Sequence, residues 1–164
     1  MVLKLITIRR SVVLCTLLVM AGLQSLKAQS VENYGVFIAG KEITSADELS
    51  DLRPEGWVSG TISYDPGSRK LTLDNVVFTV PNDEVAFRFA ESTDEMNLEV
   101  YGSHTVITSK GATLSSAAPL AIFGEGALTF ISENDAAIVM ENASQLTIKD
   151  ACRLDLRGKT YGIG

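Results

Sequence analysis

Aliphatic residues alternate with polar ones in short bursts that recur about every 25 residues through the second half of this chain. Four segments start alike, with an aliphatic residue, one spacer and a second aliphatic residue: LTL, LEV, LAI and LTI, beginning at Leu71, Leu98, Leu120 and Leu146. Alternation with a period of two is typical of a β-strand buried on one face. These starts, 27, 22 and 26 residues apart, therefore predict four repeats of one β-strand unit.

Each predicted repeat continues with a turn and two further apolar bursts. The turn-forming residues, which accept a positive φ or bond to their own backbone, are Asn75, Gly102, Gly124 and Asp150. The second burst supplies Phe78 with Val80, Val106 with Ile107, Leu128 with Phe130, and Leu154 with Leu156. The third burst is centred on Phe87, Leu114, Ile138 and Ile163.

Three short strands per repeat, with no helical segment between them, predict an all-β fold. The specific prediction is a right-handed parallel β-helix over residues 71–164, with about four coils of which the last is incomplete. One coil of four to five buried aliphatic residues gains roughly 6–15 kcal/mol. Ordering its backbone costs ~1–2 kcal/mol per residue, so neighbouring coils must supply the remainder. A β-sandwich of the same strands stays open as the alternative, whereas a leucine-rich repeat would need a fixed Asn and a helical return.

Residues 29–70 are predicted to form a β cap over the first coil, where it shields an open strand edge. The segment YGVFIAGKEITS indicates a hairpin that turns at Gly40. Ser45 and Glu48 have the spacing of a capping box, which predicts one short helix from Ala46 to Leu52. WVSGTISYD and KLTLDNVVFTV then read as two strands joined by the turn DPGSR.

The first 28 residues have the layout of a secretory signal peptide. Lys4, Arg9 and Arg10 precede an apolar run from Val12 to about Leu23, and a short polar segment ends at the small residue Ala28. A retained membrane anchor is the alternative, but the run is shorter than the ~20 residues that span a bilayer. We therefore expect export to the periplasm, the cell surface or the medium, without membrane insertion after cleavage.

Cleavage would leave a strongly acidic chain. The signal segment carries four basic side chains and no acid, so the remainder has 10 basic and 20 acidic side chains and a formal net charge of −10. An acidic surface repels phosphate, which makes nucleic acid and anionic lipid unsuitable partners. Cys152 would be the only cysteine left, so no internal disulfide can form.

Several of these segments together resemble a known group of proteins. The hairpin YGVFIAGKEITS, the predicted short helix, the strand-turn-strand GTISYDPGSRKLTLDNVVF and the repeats with LTI and YGI are similar to exported proteins of gut anaerobes. Those are described as carbohydrate-binding-domain or pectate-lyase-like β-helix surface proteins, and the similarity covers nearly the whole mature chain. The resemblance implies a secreted, non-enzymatic β-helix with a glycan-binding or adhesive role.

The pattern of acidic residues argues against catalysis. A β-helix enzyme that cleaves uronic-acid polymers needs carboxylates at one register in adjacent coils. The corresponding outward positions are Thr72, Glu99, Ala121 and Thr147, which form no acidic ladder. The only histidine, His104, lies in the segment GSHT and is interpreted as a turn residue. The chain is therefore predicted not to be an enzyme and to need no cofactor.

One loop is a candidate for a metal ion. The segment ESTDEMN brings Glu91, Asp94 and Glu95 together, which makes a Ca²⁺ site conceivable. A solvated acidic loop is the alternative, because this spacing matches no known ligand frame.

Aromatic residues are the candidates for a sugar-binding surface, because pyranose faces stack on aromatic rings. Tyr101 and Phe123 are predicted to occupy the same place in consecutive repeats and so to form a platform of two rings. Trp57 is a third candidate. The alternative is that Tyr101 and Phe123 pack over a corner and that Trp57 belongs to the core of the cap.

The expected function is thus that of a non-catalytic surface protein that binds a polysaccharide or a host cell-surface glycan, or that acts in adhesion. A second possibility is a structural role, in which a truncated or self-associating β-helix pairs through its open C-terminal coil. The third is a polysaccharide lyase-like enzyme.

Overall fold

The repeats form parallel sheets, with strands from successive turns hydrogen-bonded to one another. The computed structural model describes residues 30–150 and 152–164, so the predicted signal peptide and its cleavage site lie outside the described residues. Residues Val31–Gly164 belong to one unit. Every described element in it is a strand, which confirms the all-β parallel β-helix predicted from the sequence.

Thirteen strands make up the described part of the chain. Three of them precede the repeats: β1 (Asn33–Ile38), β2 (Lys41–Thr44) and β3 (Trp57–Asp65). The first turn contains β4 (Lys70–Thr79) and β5 (Phe87–Phe89). The second contains β6 (Met96–Tyr101), β7 (Ser103–Thr108) and β8 (Leu114–Ser116). The third contains β9 (Leu120–Phe123), β10 (Ala127–Ser132) and β11 (Ile138–Met140), and a fourth turn contains β12 (Leu146–Ile148) and β13 (Arg153–Gly158).

Each turn bends at two or three places, which divides it into strands. Strands at the same place in successive turns stack on one another and form three rows. One row has the order β11-β8-β5-β1-β2. The long strand β4 joins the other two rows, since its first half pairs with β6 and its second half with β7. The order across that joined sheet is β12-β9-β6-β4-β7-β10-β13. Parallel pairing between turns excludes the β-sandwich, whose strands would pair antiparallel.

The third burst of each repeat has the register that the sequence predicts. Phe87 is opposite Leu114, Leu114 is opposite Ile138, and an isolated parallel bridge joins Ile138 to Ile163. Positive φ angles occur at all four predicted turn positions, Asn75, Gly102, Gly124 and Asp150. The predicted break is wrong at Asn75, which lies inside the continuous strand β4.

The first burst has a different register between the second and third turns. Leu98 is opposite Ile122, and Met96 is opposite Leu120. The predicted alignment of Leu98 with Leu120 is therefore wrong by two residues. A slip of two keeps every side chain on the same face of the strand, so alternation alone cannot detect it.

The second burst also differs at one turn. Val106 points inward, as predicted, and is opposite Phe130, but Ile107 faces outward and is half-buried. The inward residue of β7 two positions before Val106 is His104, which is opposite Leu128. The interpretation of His104 as a turn residue is therefore wrong, because the imidazole lies inside the solenoid at 2% exposure.

Aromatic rings fill the centre of the core. The ring centroids of Phe78 and Phe87 are 5.9 Å apart, and those of Phe87 and Phe130 are 6.2 Å apart. All three side chains are fully buried. Tilted ring pairs at such distances add ~0.5–1.5 kcal/mol to the gain from burial.

Antiparallel strands pair with the first turn. β1 and β2 form the predicted hairpin around Gly40, β1 pairs with β5, and β3 pairs with β4 across the predicted turn. These strands hydrogen-bond to the edge of the first turn that faces away from the second.

The predicted helix from Ala46 to Leu52 is wrong, because this segment forms turns. Leu52 N donates to Ile62 O at 2.7 Å, and Tyr64 N donates to Leu49 O at 2.8 Å. The segment thus pairs with the edge of β3 instead of forming i to i−4 bonds. The Ser45 hydroxyl accepts from Glu32 N at 2.9 Å and therefore serves the β1–β2 hairpin.

Candidate functional site

The best candidate for a binding surface is the outer side of β4, β6 and β9, which we call the Tyr101 face. It consists of Lys70, Thr72, Glu99, Tyr101 and Phe123. Alternation produces it, because Leu98 and Val100 point into the core while Glu99 and Tyr101 point out. Tyr101 is 44% exposed, so its ring is accessible to a ligand.

Glu99 is the centre of the hydrogen bonds on this face. Tyr101 Oη donates to Glu99 Oε1 at 2.8 Å, and Lys70 Nζ lies 2.8 Å from Glu99 Oε2. Thr72 Oγ1 lies 3.5 Å from the same Oε2. These contacts join the Tyr101 hydroxyl, the Glu99 carboxylate and the Lys70 ammonium group in one hydrogen-bonded network.

These contacts also determine the ionisation of the three groups. Burial alone would raise the pKa of Glu99, but the hydrogen bonds from Lys70 and Tyr101 outweigh it and lower that pKa. The bond to Glu99 raises the pKa of Lys70 and, in the same way, the pKa of the Tyr101 hydroxyl. At neutral pH the face therefore holds an ionised carboxylate, an ammonium group and a neutral phenol.

The two rings of the predicted platform are not in the same register. Phe123 is opposite Glu99, whereas Tyr101 is opposite Asp74. The prediction that Tyr101 and Phe123 hold equivalent places is wrong, for the same two-residue slip described above. They are instead diagonal neighbours, a relation that places Cα atoms roughly 7–8 Å apart. Glu99, which the sequence did not single out as a site residue, occupies the corner between them.

Trp57 does not join this face. It lies on β3 opposite Phe78, is half-buried and packs against the core cluster. Its Nε1 donates to Gly60 O at 3.2 Å, and the Arg53 guanidinium lies 4.9 Å from its ring centroid.

The acidic loop does not bring its carboxylates together. Asp94 Oδ2 lies 3.2 Å from Arg69 Nη1, and Glu95 Oε1 lies 3.2 Å from Lys149 Nζ. Each of these acids is thus paired with a different cation, and Glu91 is exposed. Within residues 30–150 and 152–164, no three His, Cys, Asp or Glu side chains are grouped to hold a metal ion.

His104 has an unusual environment for a polar side chain. Its Nδ1 accepts from Val76 N at 3.1 Å, while its Nε2 is buried and finds no hydrogen-bond partner among the described residues. Burial lowers the pKa of His104, against the smaller opposing effects of the Tyr101 carbonyl and the Asp74 carboxylate. Cys152 is half-buried against the core, and burial raises the pKa of its thiol.

Comparison of the chain with protein-family models, curated proteins and solved structures gave no match. No helix in the part of the chain that the structure describes is long and apolar enough to cross a membrane.

Proposed function

We propose that this protein is exported and binds a glycan without transforming it, at the cell surface or after release. The observation that carries the proposal is the position of Glu99, which bonds to the Tyr101 hydroxyl through its carboxylate and lies directly opposite Phe123 on the neighbouring strand. Two aromatic side chains and a hydrogen-bond acceptor suit the apolar face and the hydroxyl groups of a sugar ring.

The chemistry of a pyranose fits this arrangement. Its C–H groups form an apolar face that stacks on a ring, and its hydroxyls donate hydrogen bonds around the rim. A carboxylate is a strong acceptor for such donors, since charge-assisted hydrogen bonds are roughly twice as strong as neutral ones. Tyr101 and Phe123 would take the apolar faces of one or two residues, and Glu99 would accept from a hydroxyl between them.

The ionisation of Glu99 favours binding over acid catalysis. A general acid needs a carboxyl pKa raised toward neutrality, as burial without partners would cause. The bonds from Lys70 and Tyr101 lower the pKa of Glu99 instead. A lyase-like activity remains the third candidate, and new unsaturated ends after incubation with polygalacturonate and Ca²⁺ would establish it.

A glycan array tests the proposal directly. Residues 29–164 would be screened as the unchanged protein, as Tyr101→Ala and as Phe123→Ala. Tyr161→Ala serves as the matched control, because Tyr161 is also exposed, at 68%, but lies outside the Tyr101 face. Loss of the same glycan signals in both face variants, with the control unchanged, supports the proposal. Equal signals in all four proteins would exclude the Tyr101 face as the contact.

A second candidate function is self-association, which the apolar side chains on the fourth turn favour. Ile148 is 49% exposed and Ile163 is 48% exposed. Among the described strands, β12 and β13 are the end strands of their sheet, so each has one free row of backbone groups. Such an edge can pair with a second copy of the chain. Sedimentation across a concentration series would show dimers or larger species, and an Ile148→Lys substitution would abolish them.

A further inference from the structure

We infer that the Tyr101 face selects glycans that carry no acidic groups and discriminates against uronate- and sulfate-bearing ones. This inference rests on the proposed glycan binding and names the ligand class. The supporting observation is that negative charges around Tyr101 are not balanced by positive ones among the described residues.

Two acids flank Tyr101 along its own row. Asp74 is directly opposite Tyr101 on β4, and Glu125 follows two residues after Phe123 in the next turn. Both side chains are exposed. Among the described residues, neither forms a salt bridge; Asp74 Oδ1 accepts only a neutral hydrogen bond, from Asn75 Nδ2 at 2.8 Å. The charge of Glu125 acts on Tyr101 itself, since it makes a small contribution, after that of Glu99, to raising the pKa of the Tyr101 hydroxyl.

The cations near the face are already engaged. Lys70 is paired with Glu99 at 2.8 Å, and Lys149 is paired with Glu95 at 3.2 Å. A uronate or sulfate on a bound glycan would therefore meet two free carboxylates, while the two ammonium groups that the described residues place near the face are both paired. An unmatched like charge at a binding surface is a common source of specificity.

An uncharged hexopyranose has no such conflict. Its hydroxyls can donate to Asp74, Glu99 or Glu125, which are all acceptors at neutral pH. Asp74 and Glu125 thus serve as hydroxyl acceptors and as a barrier to anions at the same time, while the charge of Glu99 is balanced by Lys70.

The test compares two classes of probe by calorimetry or biolayer interferometry. The neutral probes are unbranched β-glucan, mannan and galactan, and the acidic probes are polygalacturonate and heparin. We expect a neutral probe to bind at least about tenfold more tightly than either acidic one at low salt, and the difference to shrink as salt screens the carboxylates.

Two variants connect this selectivity to the flanking acids. The double variant Asp74→Asn with Glu125→Gln should lower the ratio of the affinity for a neutral probe to the affinity for an acidic probe. We expect a decrease of about two- to fivefold for each charge removed. The control pair is Glu55→Gln with Glu133→Gln, two exposed acids outside the Tyr101 face, which should leave the ratio unchanged. Circular dichroism would verify that all variants are folded.

The outcomes separate the inference from the proposed function. Tighter binding of the acidic probes, or an unchanged ratio in the Asp74 and Glu125 variant, overturns the inference and leaves glycan binding standing. Absence of binding to any probe, and to the full array, overturns both.

Discussion

Phe123 lies directly opposite Glu99 on the neighbouring parallel strand. Strands are ~4.8 Å apart in this direction, so the two residues are neighbours on the outer face. Tyr101 is two residues further along β6 and donates its hydroxyl hydrogen to the same carboxylate. The relationship makes Glu99 the residue on which the arrangement of the site depends.

Removing the charge of Glu99 should weaken glycan binding with little effect on folding. Glu99→Gln keeps the shape of the side chain but replaces a charge-assisted acceptor with a neutral one, so we expect affinity to fall by about five- to tenfold. The free energy of unfolding should change by at most about 1 kcal/mol, the usual range for an exposed or partly exposed ion pair. Calorimetry with a glycan from the array and urea denaturation would measure the two quantities. Unchanged affinity, with Glu133→Gln as the control, would remove Glu99 from the site.

Phe87 should be the most sensitive aromatic position in the core. It contacts both Phe78 and Phe130, so Phe87→Ala leaves a cavity between two turns and should cost about 3–5 kcal/mol of unfolding free energy. Phe37→Ala is the matched comparison. Phe37 is only half-buried, with the Arg88 guanidinium 3.7 Å from its ring centroid. Urea denaturation followed by circular dichroism should rank Phe37→Ala well below Phe87→Ala, and an equal loss would contradict the assignment of the core.

Gly124 should not tolerate a side chain. Its φ is +120°, and a Cβ there would lie 2.3 Å from the Val100 carbonyl oxygen on the previous turn. Backbone strain of this kind costs about 1–3 kcal/mol, and the contact with a hydrogen-bonded carbonyl adds to it. We therefore expect Gly124→Ala to lower the free energy of unfolding by more than 2 kcal/mol. Gly67→Ala is the control, because its nearest contact would be the flexible Asp65 side chain at 3.3 Å.

Stability should decrease as the pH falls below the ordinary range of histidine. Because burial lowers the pKa of His104 in the folded protein, the unfolded chain takes up the proton first. The contribution of His104 to the free energy of unfolding is fully present above a pH of about 6.5, the pKa of histidine in the unfolded chain. It is lost as the pH falls from there toward the lower pKa of His104 in the folded protein. Urea denaturation at pH 7.5, 6.5 and 5.5 would measure it.

The variant His104→Leu assigns this pH dependence to the imidazole. It should remove the slope between pH 7.5 and 5.5, since the chain contains no other histidine. It should also cost about 1–3 kcal/mol at pH 7.5, because the buried Val76 N–H loses its acceptor. A slope that survives the substitution would mean that another group is responsible.

Part of the site was visible in the sequence and part was not. Tyr101 and Phe123 stand out because both follow an inward aliphatic residue, which correctly places them on the outer face. Their relationship to each other was predicted incorrectly, because alternation has a period of two and leaves a slip of two residues undetected. In the sequence, Glu99 is only one of four outward positions. Its importance comes from its contacts with Lys70 and Tyr101, which are visible only in the tertiary structure.

The sequence by itself determined the all-β class, the three strands of the second and third turns and the positions of positive φ. These features are local, since alternation and residues such as Asn75 and Gly102 constrain their own backbone. Tertiary structure decided the register of β6 against β9, the burial of His104 and the conformation of residues 46–52, which form turns and not a helix. The physical reason is that each depends on hydrogen bonds or packing between distant segments, as when Leu52 pairs with Ile62 instead of continuing a helix.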